Sequence, residues 1–202
     1  MDLSNEIRQC TRCLDLGMIS SDRLNTSEKP CVQFNVDKEW KPGRVQVLFV
    51  AESPPPNGYF YNQDEESRSG GLRTEVLKRL QCSLGEFKER YLMLDTIKCR
   101  LNKSKSLKTP LRMAKISKNC ATLFLRKEID ELKPETIFVL GKIAKEALEQ
   151  FPEFEELSKY GITDEFDKVL TGYRVILCVF PGRRTRKHKK KIDQAFARIL
   201  EA

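Results

Sequence analysis

Val45-Gln-Val-Leu-Phe-Val-Ala51 is an apolar, β-branched run that stops at Glu52-Ser53-Pro54. Three more runs of the same kind follow. Tyr91–Ile97 (YLMLDTI) carries one Asp, Thr136–Leu140 (TIFVL) stops at Gly141, and Tyr173–Phe180 (YRVILCVF) stops at Pro181. Runs this apolar suit strands buried on both faces, as in a parallel sheet covered by helices. Helical patterns lie between them. Leu72, Val76, Leu77 and Leu80 share one face, and Asn119–Leu132 puts Cys120, Leu123 and Phe124 together. Lys142–Gln150 is rich in Ala, Glu and Lys. Near the end, Ile192, Ala195, Phe196, Ile199 and Leu200 fall at i, i+3, i+4, i+7 and i+8. The alternation predicts an α/β fold, a three-layer α/β/α sandwich on a mostly parallel four-stranded sheet.

In such sheets ligands bind beyond the carboxyl ends of the strands. The stretches to examine for chemistry are therefore Glu52–Asn62, Asp95–Leu101, Gly141 onward and Pro181–Lys191.

Outside this core the first 44 residues have a different character. A short helix and turn fit Asn5–Arg23, around Cys10 and Cys13. Ser21–Gly43 is polar and carries Pro30, Pro42 and Gly43. The expected organisation is one domain over 1–202, an N-terminal arm over 1–44 and a core over 45–202. With 202 residues, 40% hydrophobic and 33% charged, the chain can bury a sizeable core. No apolar run approaches the roughly 20 residues of a membrane span. Met1–Ile7 is polar and acidic and has no secretory apolar segment. A cytoplasmic, nucleoid-associated monomer is expected.

Lys and Arg number 37 against 29 Asp and Glu, a formal charge of +8. That excess favours a polyanionic partner. Its densest part is Arg183-Arg-Thr-Arg-Lys-His-Lys-Lys-Lys191, which has seven basic residues and no acid. Counterion release makes such a stretch a salt-sensitive phosphate binder, for DNA or for RNA. Arg183, Arg184, Arg186, Lys187 and His188 are the candidate contacts. Lys98–Lys108 is a second basic segment.

Seven cysteines are present, an odd number, so a disulfide framework is not expected. Cys10-x-x-Cys13 has chelating spacing, but no second C-x-x-C completes a zinc ribbon. Cys99 follows a strand, and Cys120 stands at the start of the Asn119–Leu132 pattern. These four thiols either hold a metal centre, including a cubane cluster, or pack as small hydrophobes. Cys31, Cys82 and Cys178 fit plain burial.

Taken in order, these pieces resemble the family 4, iron–sulfur uracil-DNA glycosylases. That family carries a C-x-x-C near the start, V-x-F-V-G-E-A-P-G after the first strand and T-N-x-x-K-C-R-P-P after the second. A helical cysteine, L-G-x-x-A and a final H-P-S follow. Here the matching residues are Cys10-Thr-Arg-Cys13, Val47-Leu-Phe-Val-Ala-Glu-Ser-Pro54, Asp95-Thr-Ile-Lys-Cys-Arg100, Asn119-Cys120 and Leu140-Gly-Lys-Ile-Ala144. The resemblance implies a uracil-glycosylase-type α/β/α fold, a [4Fe-4S] cluster on Cys10, Cys13, Cys99 and Cys120, and action on DNA.

It also implies roles for individual residues. Glu52 matches the motif glutamate, and Ser53 stands where related families carry Asp, Asn or Ala. Phe60 in Gly58-Tyr59-Phe60 is the best match to the base-stacking phenylalanine. Asp95 replaces the Asn that reads the uracil edge. Phe180-Pro181-Gly182 replaces H-P-S, so the histidine is absent; the chain's one histidine, His188, lies eight residues further on. What the resemblance implies is a DNA glycosylase with Glu52 and Asp95 catalytic and Ser53, Phe60, Asp95 and Phe180 on the base. A catalytically inactive iron–sulfur protein that binds nucleic acid is the rival.

Overall fold

The computed structural model describes residues 3–13, 16, 45–54, 60–61, 71–99, 101, 110–182 and 187–201. In chain order its elements are helix α1 (Leu3–Gln9), strand β1 (Val47–Ala51), helices α2 (Leu72–Leu80) and α3 (Leu84–Arg90), and strand β2 (Tyr91–Asp95). A long helix follows in three parts: α4 (Pro110–Cys120), a π turn (Ala121–Leu125) and α5 (Arg126–Leu132). Then come β3 (Thr136–Leu140), α6 (Lys142–Leu148), a 3₁₀ segment (Pro152–Lys159), β4 (Asp167–Leu170), β5 (Tyr173–Cys178) and α7 (Lys189–Leu200).

The sheet order is β2-β1-β3-β5-β4. The first four strands run parallel, and β4 is antiparallel to β5. Period-2 alternation splits the strand side chains between two layers. Leu48, Val50, Leu92, Leu94, Ile137, Val139, Val175 and Leu177 face the π turn, α5, α6 and the 3₁₀ segment. Val47, Phe49, Ala51, Tyr91, Met93, Phe138, Leu140, Ile176 and Cys178 face α2, α3 and α7. Every residue of β1, β2 and β3 is buried, which is why they read as continuous apolar runs. The α/β/α sandwich is thus shown. No helix among the described residues is long and apolar enough to cross a membrane.

Three details differ from the sequence expectation. The sheet has five strands, because β4 was hidden in the pattern. Lys168 and Val169 are exposed, so no apolar run marks this edge strand. Second, the helix expected from Asn119 begins at Pro110, at the first helical position, where a missing N–H is tolerated. Cys120 therefore ends an α segment and enters the π turn instead of opening a helix. The extra residue in that turn lets Ile116 and Cys120 face one cluster while Leu125, Ile129 and Leu132 face the sheet. Third, the strand expected to run to Ile97 ends its ladder at Asp95.

Candidate active site at the carboxyl edge

Leaving β1, the chain crosses to β2 on one side; leaving β3, it goes on to β4 and β5 on the other. The carboxyl ends of β1 and β3 are therefore the topological switch point, where a doubly wound sheet opens a ligand crevice. Glu52 and Ser53 follow β1 there, and Gly141 follows β3. Asp95 and Phe180 stand at the ends of the flanking strands β2 and β5.

Glu52 and Asp95 stand at the ends of adjacent strands. Ala51 pairs with Asp95, and the ladder continues with Thr96 N–H donating to Ala51 O (2.8 Å) and Ile97 N–H to Glu52 O (2.9 Å). Asp95 stands level with its register partner Ala51, and Glu52 follows one residue further along the neighbouring strand. Asp95 is 5% exposed, and Glu52 is half-buried. Beside them, Ser53 Oγ and Thr96 Oγ1 are buried with no hydrogen-bond partner among the described residues. A buried hydroxyl without a partner costs about 1–3 kcal/mol.

Phe180 is 37% exposed at the end of β5. Its neighbour is Gly141, whose φ of +90° favours glycine; a Cβ there would stand 3.2 Å from the Phe180 Cβ. The ring thus lies against backbone with no side chain between. Phe60 sits differently. It is 4% exposed, and its ring packs 4.9 Å from Phe87 and 5.1 Å from Tyr61 within the aromatic cluster. Of the two aromatics assigned to the base, Phe180 is the one presented at the edge and Phe60 is a core ring.

Sequence reasoning passed over Tyr61. Its hydroxyl accepts from Met93 N–H at 2.7 Å and reaches Met93 O at 3.4 Å, covering the outer edge of β2. Burial, with the Asp95 carboxylate adding to it, pushes the phenol far above its ordinary range, so it stays protonated.

Lys98 and Glu128 were also missed. Lys98 Nζ donates to Asp95 O (2.6 Å) and to Glu128 Oε2 (2.5 Å), and both side chains are 1% exposed. Burial raises the Glu128 carboxyl above its usual range, and the Lys98 ammonium works against that shift. A signal existed: Phe124, Glu128 and Leu132 share one helical stripe, and a carboxylate in an apolar stripe needs a buried partner.

The four expected thiols come together. Cys13, Cys99 and Cys120 are buried in one cluster with Leu3, Ile7, Ile97, Leu101, Met113, Ile116 and Phe124, and Cys10 packs against it. The hydrogen bond with Cys13, then burial, holds the Cys120 thiol well above its ordinary range, while the Lys98 backbone N–H donates to its sulfur. Asn119 Nδ2 donates to Cys13 Sγ at 3.7 Å. Among the described residues, no group of three or more His, Cys, Asp or Glu could hold a single metal ion. Cys82 and Cys178 lie elsewhere, in or against the second core layer, as free thiols. Cys31 lies outside the described residues.

Of the basic segment, Arg183, Arg184 and Arg186 also lie outside the described residues. Lys187 and His188 open the turn before α7, with Lys187, Lys189 and Lys190 exposed. The family model for the Uracil DNA glycosylase superfamily matches residues 38–202. Among curated proteins, none matches the chain.

Proposed function

We propose, for a chain that belongs to the Uracil DNA glycosylase superfamily, that it hydrolyses the N-glycosidic bond of a deaminated or otherwise altered base in DNA, in base-excision repair. The observation that carries this reading is the placing of Glu52 and Asp95 at the ends of adjacent strands beside the switch point. Cleavage of a base from deoxyribose passes through an oxocarbenium-like state with negative charge building on the departing base. The enzyme's work is to extrude the nucleotide, hold its base and bring water to the sugar carbon.

In this reading Glu52 orients the attacking water. Asp95 reads the base edge, Ser53 offers its hydroxyl, and Phe180 gives the base a ring to lie on, with Phe60 supporting from the core. Asp95 also explains a departure from uracil. An ionised carboxylate only accepts hydrogen bonds, which suits an exocyclic amine; a protonated one offers one donor and one acceptor, which suits uracil or hypoxanthine. The test is a glycosylase assay on single- and double-stranded oligonucleotides carrying uracil, hypoxanthine, xanthine and mismatches. Asp95→Asn, which restores an amide able to donate and accept, is expected to shift activity toward uracil. An unchanged substrate profile in Asp95→Asn would remove Asp95 from the base-reading role.

The thiol cluster fits a [4Fe-4S] centre held by Cys10, Cys13, Cys99 and Cys120. In a cubane each thiolate binds a different iron, so four thiols brought from separate segments into one cluster can share it, and amide donors to sulfur are usual. The centre would supply a cross-link, tying the turn after α1 to the end of β2 and to the long helix. Protein purified without oxygen should then hold about four irons per chain and absorb broadly near ~400 nm. Cys31→Ser, Cys82→Ser and Cys178→Ser should leave the iron content intact. Colourless protein with one tight zinc would contradict it.

A second reading is favoured by one observation: Phe180 stands where the motif histidine would donate to the leaving base. Loss of one such donor typically costs about 10²–10³ in rate. DNA binding without base release from any panel substrate would mark a binding protein on a glycosylase scaffold.

A further inference from the structure

The long helix Pro110–Leu132 is roughly 34 Å long at 1.5 Å per residue, while a five-residue strand spans about 17 Å. Its second half covers the sheet: Ala121, Leu125, Ile129 and Leu132 pack on the strands. None of the buried apolar residues of α4 joins that layer. Met113, Ile116 and Cys120 pack instead with α1 and the thiols, in a cluster of their own. The chain reaches this helix from the carboxyl end of β2 and leaves it for the amino end of β3. So α4 is the half that stands out past the carboxyl edge.

Its outer face is basic. Arg112, Lys115 and Lys118 are exposed, fall three residues apart on one side of the helix, and share it with Leu111, which is 87% exposed. The sequence of α4 contains no acid. No described carboxylate lies within ion-pair distance of these three cations. Further along this layer several cations are matched: Arg126 with Asp130 and Glu153, Lys127 with Glu6, Lys142 with Glu146, and Lys145 with Glu149, while Lys133 and Lys159 are single exposed cations and form no such block. Unmatched positive charge recurs at the start of α7, in Lys187, Lys189 and Lys190, and α7 packs on the opposite face of the sheet. Two unneutralised cationic blocks therefore flank the carboxyl edge from opposite layers, with Glu52, Asp95 and Phe180 between them.

We infer that the outer face of α4, through Arg112, Lys115 and Lys118, is a second DNA-backbone contact, so that a strand crossing the carboxyl edge is held by phosphate contacts on both sides of the crevice. This rests on the reading of the chain as a DNA-acting protein. Phosphate contacts position a strand without reading sequence, which suits an enzyme that finds its target base by extrusion.

The test is binding of a fluorescent, undamaged DNA oligonucleotide across a salt series, using the full chain. Arg112→Ala/Lys115→Ala/Lys118→Ala should fold normally, since all three side chains are exposed. It should lower the slope of log K against log salt by about 2–3 and weaken binding by about 10²-fold at ~0.1 M salt. Lys187→Ala/Lys189→Ala/Lys190→Ala should give a loss of the same kind. Lys133→Ala/Lys159→Ala, two exposed cations away from that edge, should change neither. An unchanged slope in the α4 variant beside a reduced one in the α7 variant overturns the inference and leaves DNA binding standing. A wild-type chain that binds no DNA, or binds RNA with the α4-dependent slope and not DNA, overturns both.

Discussion

Glu52→Gln lowers the rate of base release by about 10²–10⁴-fold under single-turnover conditions, the range expected when a positioned acid–base group is removed. DNA affinity stays close to wild type, because the substitution removes a charge at the crevice floor and no phosphate contact. Glu52 is well suited to this separation. Its backbone carbonyl is fixed by Ile97 N–H at 2.9 Å, a main-chain bond that Glu52→Gln leaves in place. The measurement is release of free base from a labelled oligonucleotide with enzyme in excess. A variant that keeps wild-type rate would mean that the attacking water is oriented elsewhere, and Glu52 would then be a structural carboxylate at the turn.

The second large effect falls on stability. Glu128→Gln leaves the Lys98 ammonium buried without its counter-charge. Breaking a fully buried ion pair from one side costs about 3–5 kcal/mol. For a chain of this size that lowers the thermal midpoint by roughly 10 °C. Lys98→Met has a loss of the same order. The double variant Lys98→Met/Glu128→Leu recovers most of it, since apolar residues of similar volume replace a buried pair at little cost. Thermal unfolding of the four proteins gives the coupling directly. Additive losses in the double variant would show that the two side chains act independently. The pair matters beyond its energy. Lys98 also holds the Asp95 carbonyl, and its own backbone amide donates to the Cys120 sulfur, so one residue links the end of β2 to the thiol cluster.

The core was legible in the sequence because three of its strands are buried on both faces and show as unbroken apolar runs. Those runs put Glu52, Asp95 and Phe180 at or near strand ends. The edge strand β4 was not legible, since two of its four side chains face solvent and Thr171-Gly172 after it reads as a simple turn. The cysteines were legible as types and spacings. Their convergence required the long helix, whose start at Pro110 was masked by a polar, basic sequence that resembles a loop. Phe60 was placed by its position after Gly58, yet burial is decided by tertiary packing: Phe87 on α3 and Tyr61 enclose it. Lys98–Glu128 joins residues thirty positions apart, and no local pattern connects them.

The central claim is hydrolysis of a glycosidic bond at the carboxyl edge. It is tested most directly by running the reaction in ¹⁸O-water on oligonucleotides carrying uracil, hypoxanthine or xanthine and analysing both products by mass spectrometry. The expected products are a free, unlabelled base and an abasic sugar that carries one heavy oxygen, both greatly reduced in Glu52→Gln. Intact oligonucleotides across the whole panel, from protein that binds them, would contradict it.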